Sequence, residues 1–290
     1  MERDCAGKTN GPGKRTGGTA AGWGRAWGRD RILGSPLEYT RRSMNATDEP
    51  VSAGEDDFGP ARPWFACVAP LAAYLWLGLL EPGAEGGGVL GSLGITPAAY
   101  PAIYALRIAV TAAVIAAAWP SLRRWLGRPT WWPPLLGIAL VVPWIVLATL
   151  QREAGWAGGA GERAAFDPFA AFGAGTPLAW GFLLLRFFGL AAIVPLAEEV
   201  FLRGFLMRFV VREEFWKVPF GTLTAAAAGA CALYAAASHP AEVVAAVGWF
   251  AVVSGIAAAT RKPIDCVLAH AGTNLALGAY VVATGNWWLW

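Results

Sequence analysis

Glu198, Glu199 and Arg203 lie within Pro195-Leu-Ala-Glu-Glu-Val-Phe-Leu-Arg-Gly204, a stretch that is apolar apart from these three charges. From Leu178 to Val211 the chain is otherwise almost all Leu, Phe, Ala, Val and Gly, with Arg186 and Arg208 as the remaining charges. An acidic side chain at a bilayer centre costs roughly 2.5–3.5 kcal/mol, so two carboxylates kept there point to a task. Glu199 and Arg203 are spaced i,i+4 on one helical face, where the guanidinium can hold Glu199 ionised and fixed. Glu198 is turned about 100° away from Glu199 and is free to face a cavity. Different roles follow for the two: Glu199 as the structural member, Glu198 as the reactive one.

The chain has two histidines, His239 and His270, both in its apolar C-terminal third. His270 and Asn274 are again spaced i,i+4, so they share a helix face and a partner is expected for both. With Glu198 they form a set suited to hydrolysis. A carboxylate in an apolar setting can take and return a proton, a histidine can share that proton or orient a water, and donors beside them can stabilise an oxyanion. Attack of an activated water on a peptide carbonyl within the membrane is the reaction that such groups serve. Glu198, His239 and His270 are also an acceptable zinc ligand set, although no HExxH helix motif is present to demand a metal. The metal-free assembly is preferred, because Asn274 suits an oxyanion donor and Glu199 is expected to be committed to Arg203, leaving few acceptors to orient zinc-binding imidazoles.

The elements that must position these groups are helices in a membrane. The 290 residues are 56% hydrophobic and 15% charged, with a mean hydropathy of +0.44, too apolar for an ordinary soluble protein of this size. The expected fold is all-α, a polytopic membrane protein with about seven to eight transmembrane helices. The net charge of +3 is small and its basic residues lie between apolar runs, which argues for topology signals and against a nucleic-acid surface. Cys5, Cys67, Cys231 and Cys266 lie far apart without a CxxC spacing and read as small buried hydrophobes.

Residues 1–60 are polar, Gly-rich and of mixed charge, and read as a disordered cytoplasmic tail without the n- and h-regions of a secretory signal. Translation from Met44 is an alternative start. Residues 61–290 form the membrane-embedded domain, in which apolar runs recur at about 63–80, 100–119, 132–150, 178–200 (continuing as helix to about 211), 219–238, 243–260 and 264–284. Tryptophans near the run ends, among them Trp64, Trp119, Trp131, Trp180, Trp287 and Trp290, fit an interfacial belt. Arg123, Arg124 and Arg128, then Arg208, Arg212 and Lys217, then Arg261 and Lys262 mark cytoplasmic loops, which puts the N-terminus inside and the C-terminus outside. The Gly-rich connections at 82–92 and 155–161 lack the Gly-Lys-Ser/Thr ending of a phosphate-binding loop. Simple alternation places His239 near the outer end of the fifth run and away from Glu198 and His270, so either that run is short and enters deep or a re-entrant segment changes the count.

Glu198-Glu199-x-x-x-Arg203, then Ala235-Ala-Ala-Ser-His239, then His270-x-x-x-Asn274 resembles the three-motif signature of the CPBP (ABI) family, the type II CAAX prenyl endopeptidases and bacteriocin-processing relatives. The resemblance covers about residues 178–290. Its second motif departs from the family pattern, with Ala235 where an aromatic stands four residues before the histidine and Tyr234 one place off. The resemblance implies a multi-helix intramembrane endopeptidase. In it Glu198 and His239 activate the water, His270 and Asn274 form the oxyanion hole, and Glu199 and Arg203 brace the site. The family has been described both as metalloproteases and as metal-independent glutamate proteases. The implied partners are membrane lipids and a membrane-anchored or lipidated peptide, and the implied location is a bacterial inner membrane. The ending Tyr280-Val-Val-Ala-Thr-Gly-Asn-Trp-Trp-Leu-Trp290 is similar to the branch associated with exosortase systems.

Two other classes fit the same charges. A proton- or ion-coupled transporter could use Glu198, Arg203 and the histidines as a relay, although no internal repeat or matching pair of broken helices is visible. A non-catalytic scaffold or immunity protein could keep the motifs without activity.

Overall fold

The computed structural model describes residues 62–82, 94, 96–156 and 165–290. The tail at 1–60 and most of both Gly-rich connections lie outside these residues. Among the described residues every regular element is helical. The helices are α1 (Pro63–Gly78), α2 (Tyr100–Trp125), α3 (Trp132–Ala139), α4 (Val141–Glu153), α5 (Pro168–Phe172), α6 (Pro177–Phe209), α7 (Ala225–Ser238), α8 (Val243–Thr260) and α9 (Pro263–Thr284). Each of the seven apolar runs contains a helix, and the fold is that of an integral membrane protein. Five described helical stretches are long and apolar enough to cross a bilayer: Pro97–Trp125, Trp132–Glu153, Pro177–Phe209, Pro240–Thr260 and Pro263–Thr284. By length, α1 and α7, with 16 and 14 residues, fall below these five, so the expected count of seven to eight crossings is not confirmed among the described residues. At 1.5 Å per residue they span about 24 and 21 Å, short of a hydrocarbon core of about 30 Å.

The shortness of α7 has a local cause. The run at 219–238 was expected to be helical throughout, but Pro219 opens a turn in which Gly221 has φ +80°, and a Cβ there would sit 2.2 Å from the Ala257 carbonyl oxygen. Only glycine tolerates both demands. The helix then starts at Thr224, whose hydroxyl accepts from the Ala227 N–H (3.1 Å). The helix ends at Ser238, and His239 follows it directly, half-buried.

Prolines shape the two other helices that frame the site. Pro143 lacks the N–H that would serve the Ala139 carbonyl, and the helix breaks at Leu140 between α3 and α4. Pro195 stands just after a π-turn over Gly189–Ile193, in which the Val194 N–H reaches back five residues to the Gly189 carbonyl. A second π-turn covers Val200–Leu206. Such turns add one residue to a helical turn and gather at functional sites.

Packing around the last helix is close. A Cβ on Gly137 would meet the Ala269 carbonyl oxygen at 1.9 Å, and one on Gly272 would meet the Pro134 carbonyl oxygen at 2.7 Å. The α3 and α9 backbones approach so nearly only because both residues are glycine. Thr273 locks this crossing, its hydroxyl donating to the Gly137 carbonyl (2.6 Å). At the start of α9, Asp265 accepts from the Thr130 N–H and hydroxyl, both at 2.7 Å. The Gln151 side chain of α4 caps the start of α8, accepting from Val244 (3.0 Å) and Ala245 (3.3 Å).

The main core joins α4, α6, α7, α8 and α9, with Ala246, Val253, Cys266 and Val281 fully or almost fully buried. Cys67, Cys231 and Cys266 are buried free thiols, as the sequence suggested, and Cys5 lies outside the described residues. The tryptophans divide. Trp64, Trp119, Trp131 and Trp180 are exposed, but Trp287 and Trp290 are buried and belong to the core instead of an interfacial belt.

Candidate active site

A cavity of about 530 Å³ lies among α1, α2, α4, α6, α7, α8 and α9. Glu198, His239, His270 and Asn274 all line it, so residues from three distant motifs share one cavity. Glu198 and His270 are 7% and 6% exposed.

The two glutamates face different neighbours. Glu199 is ion-paired with Arg203, and the guanidinium also donates to the Phe250 carbonyl (2.9 Å). The other Glu199 oxygen accepts from His270 Nδ1 at 3.0 Å. Glu199 is therefore not committed to Arg203 alone, as the sequence reading had it, but fixes both the arginine and the histidine. Glu198 Oε2 lies 3.8 Å from His270 Nε2. Two separate carboxylates thus flank one imidazole, one at each ring nitrogen.

Because the Glu199 carboxylate can only accept, His270 carries a proton on Nδ1, and in its neutral form Nε2 presents a lone pair toward Glu198. Only the imidazolium donates on both sides. Trp249 packs edge-on to the ring, with centroids 4.6 Å apart, and its Nε1 donates to Thr273 Oγ1 (3.0 Å). His270 is therefore held by charge on one side and by ring packing on the other.

His239 leaves the end of α7 with φ −131° and ψ 60°. Its ring lies between Trp144 and Phe250, with centroid distances of 5.5 and 5.6 Å. Nδ1 is 2.8 Å from Ser238 Oγ, and that hydroxyl donates to the Tyr234 carbonyl (2.8 Å). With the hydroxyl proton so placed, Oγ accepts from His239 Nδ1–H. Asn274 Nδ2 donates to the Leu190 carbonyl at 2.7 Å, which leaves its second N–H for another acceptor.

Tyr234 answers the departure in the second motif. Its ring packs against Phe201 and Phe250, at 5.9 and 5.7 Å between centroids. Its buried hydroxyl lies near the Glu198 carboxyl without forming a hydrogen bond. The aromatic one place off the family pattern is therefore at the site, because His239 lies outside the helical repeat of α7. Sequence reasoning also missed Ser238, Trp249 and Thr273. Only Ser238 carried a signal, its place beside His239.

Among the described residues, no three His, Cys, Asp or Glu side chains are grouped so as to hold a metal ion. Glu198, His239 and His270 line one cavity, but as arranged they do not fit the zinc site that their residue types allow.

The fold and site together define a helical membrane protein with acid–base groups facing a shared cavity. Residues 179–276 match the family model Type II CAAX prenyl endopeptidase Rce1-like, which bears out the resemblance read from the three motifs. The matched segment contains every candidate residue from Glu198 to Asn274, and it indicates a CAAX prenyl protease-like hydrolase. No curated protein and no solved structure shows a significant match to the chain.

Proposed function

We propose that the protein is an intramembrane endopeptidase that hydrolyses a peptide bond in a membrane-anchored or C-terminal peptide substrate, with Glu198 as the base that activates water. The observation that carries this reading is the division of the paired carboxylates. Glu199 is tied to Arg203 and His270, while Glu198 is directed to the cavity with His270 Nε2 3.8 Å away.

In this mechanism a water held between Glu198 and His239 attacks the scissile carbonyl carbon. As the water oxygen–carbon bond forms, Glu198 takes the water proton, and the carbonyl oxygen becomes an oxyanion. The second N–H of Asn274 and, when His270 carries both protons, its Nε2–H are the donors available to that oxyanion. Glu198 then returns the proton to the amide nitrogen as the carbon–nitrogen bond breaks. Arg203 and Glu199 hold the His270 ring and do not touch substrate. Glu198 and His270 are themselves almost wholly buried, which strengthens their interactions. We place the protein in a bacterial inner membrane, with its N-terminus cytoplasmic.

The test is incubation of the purified protein in lipid bilayers with a library of membrane-anchored peptides, read by mass spectrometry. Wild type should yield discrete new termini that the Glu198→Gln protein does not. Identical product patterns from both would exclude the mechanism.

A further inference from the structure

Arg186 is a buried cation that the mechanism does not use. The other arginines within the described helical core all have partners. Arg203 has Glu199 and the Phe250 carbonyl, Arg107 has Glu81 (2.7 Å) and the Tyr74 carbonyl (2.8 Å), and Arg208 donates to the carbonyls of Gly204, Trp216 and Val218. Arg186 is 5% exposed, and its Nη1 is buried without a hydrogen-bond partner. Its guanidinium carbon lies 4.9 Å from the Trp290 ring and 5.9 Å from the Tyr100 ring, contacts that shape a slot without neutralising the charge. A charge left so in an apolar setting is costly until an anion meets it.

Arg186 lines the same cavity as Glu198. The two are twelve positions apart on α6, which in a regular helix would turn them roughly 120° from each other. The π-turn at Gly189–Ile193 lies between them and absorbs one residue. The spacing then acts as eleven residues, three turns, leaving the side chains roughly 20° apart and about 17 Å along the axis. The distortion beside Pro195 thus puts the unpaired guanidinium and the candidate base on one face.

Resting on the peptidase reading, we propose that Arg186, walled by Tyr100 and Trp290, is a subsite for a carboxylate of the peptide substrate, supplied by its free C-terminus. A guanidinium takes a carboxylate through two parallel N–H···O bonds, and both partners here would be shielded from water. An extended peptide covers about 3.3–3.6 Å per residue, so the carboxylate belongs about five residues beyond the scissile bond. The product released would be a short C-terminal peptide.

The test has a binding arm and a cleavage arm. Binding of matched peptides ending in a free acid or an amide is measured with the Glu198→Gln protein in nanodiscs, with and without Arg186→Gln. The free acid should bind roughly tenfold or more tightly, and Arg186→Gln should remove the preference while leaving thermal stability unchanged or higher, since it strands no partner. Equal binding of acid and amide overturns the subsite, even if both peptides are cleaved. A binding preference without any cleavage by wild type removes the peptidase reading and keeps the subsite. An amidated peptide with Asp near the fifth position that binds like the free acid would assign the carboxylate to a side chain and overturn the C-terminal source. Nanodiscs with and without phosphatidylglycerol separate the other occupant. If anionic lipid displaces the acid peptide from the Arg186 protein but not from the Arg186→Gln protein, the guanidinium serves a lipid phosphate and the proposal fails.

Discussion

Asn274 Nδ2 donates to the carbonyl of Leu190 at 2.7 Å, and this is the carbonyl that Pro195 leaves without a donor. In the π-turn the Val194 N–H serves Gly189, so the next bond of the series would run from residue 195 to Leu190. Proline has no N–H to give. A side chain from α9 replaces the missing backbone bond, and the replacement fixes Asn274 at the cavity wall with one N–H still free to act.

Asn274→Ala should therefore do two things. It strands a buried carbonyl, lowering stability by about 1–3 kcal/mol, and it removes an oxyanion donor, lowering kcat by roughly 10²–10³-fold. Pro195→Ala restores an N–H for Leu190. Thermal unfolding of the double variant should show partial recovery over Asn274→Ala, with activity still lost. Full recovery of activity in the double variant would mean that Asn274 is a helix brace only.

Arg203 and Glu199 form a buried pair, and breaking it from one side leaves a lone charge. Arg203→Met alone should cost about 3–5 kcal/mol, whereas Arg203→Met with Glu199→Leu should cost less than the sum of the two single changes. Chemical unfolding in detergent micelles measures all three. Additive losses would show that the two residues do not act as a pair.

Much of this site was legible because charges are rare in apolar runs. Glu198, Glu199, Arg203, His239, His270 and Asn274 stood out by type, and helical spacing separated the two glutamates. The family match covers residues 179–276, the segment that holds these positions. What spacing did not disclose was tertiary: that Glu199 could serve Arg203 and His270 together, because they approach from different helices. The end of the helix before His239 was also hidden, so Tyr234 looked misplaced by one residue. Arg186 was visible as a lone cation, but the π-turn that brings it onto the face of Glu198 has no periodic signature. Pro195 within an apolar run was its one local trace. The start of α7 was misread because hydropathy runs on through Pro219 and Gly221, while the backbone there turns.

With all seven apolar runs taken as crossings, the basic loops predict the orientation. A reporter fused after Lys262 should be active as a cytoplasmic marker and inactive as alkaline phosphatase, since Arg261 and Lys262 stay on the cytoplasmic side. Alkaline phosphatase activity from that fusion would invert the arrangement.

The metal-free mechanism makes a separate demand. His270 Nδ1 is bonded to Glu199 and His239 Nδ1 to Ser238 Oγ, and the two rings do not converge with a carboxylate on one point. Treatment with a strong zinc chelator should leave the cleavage rate unchanged. Loss of activity on chelation with recovery on added zinc would overturn the metal-free step and keep the peptidase.

The central claim is that adjacent glutamates have divided labour, and Glu198→Gln compared with Glu199→Gln tests it directly. Cleavage per folded molecule, with folding followed by thermal unfolding, is the measurement. Glu198→Gln should melt like wild type and lose at least roughly 10²-fold in rate, because the amide keeps the shape and removes the base. Glu199→Gln should unfold at lower temperature, because Arg203 loses its counter-charge. A well-folded Glu198→Gln protein that still cleaves at the wild-type rate would contradict the account.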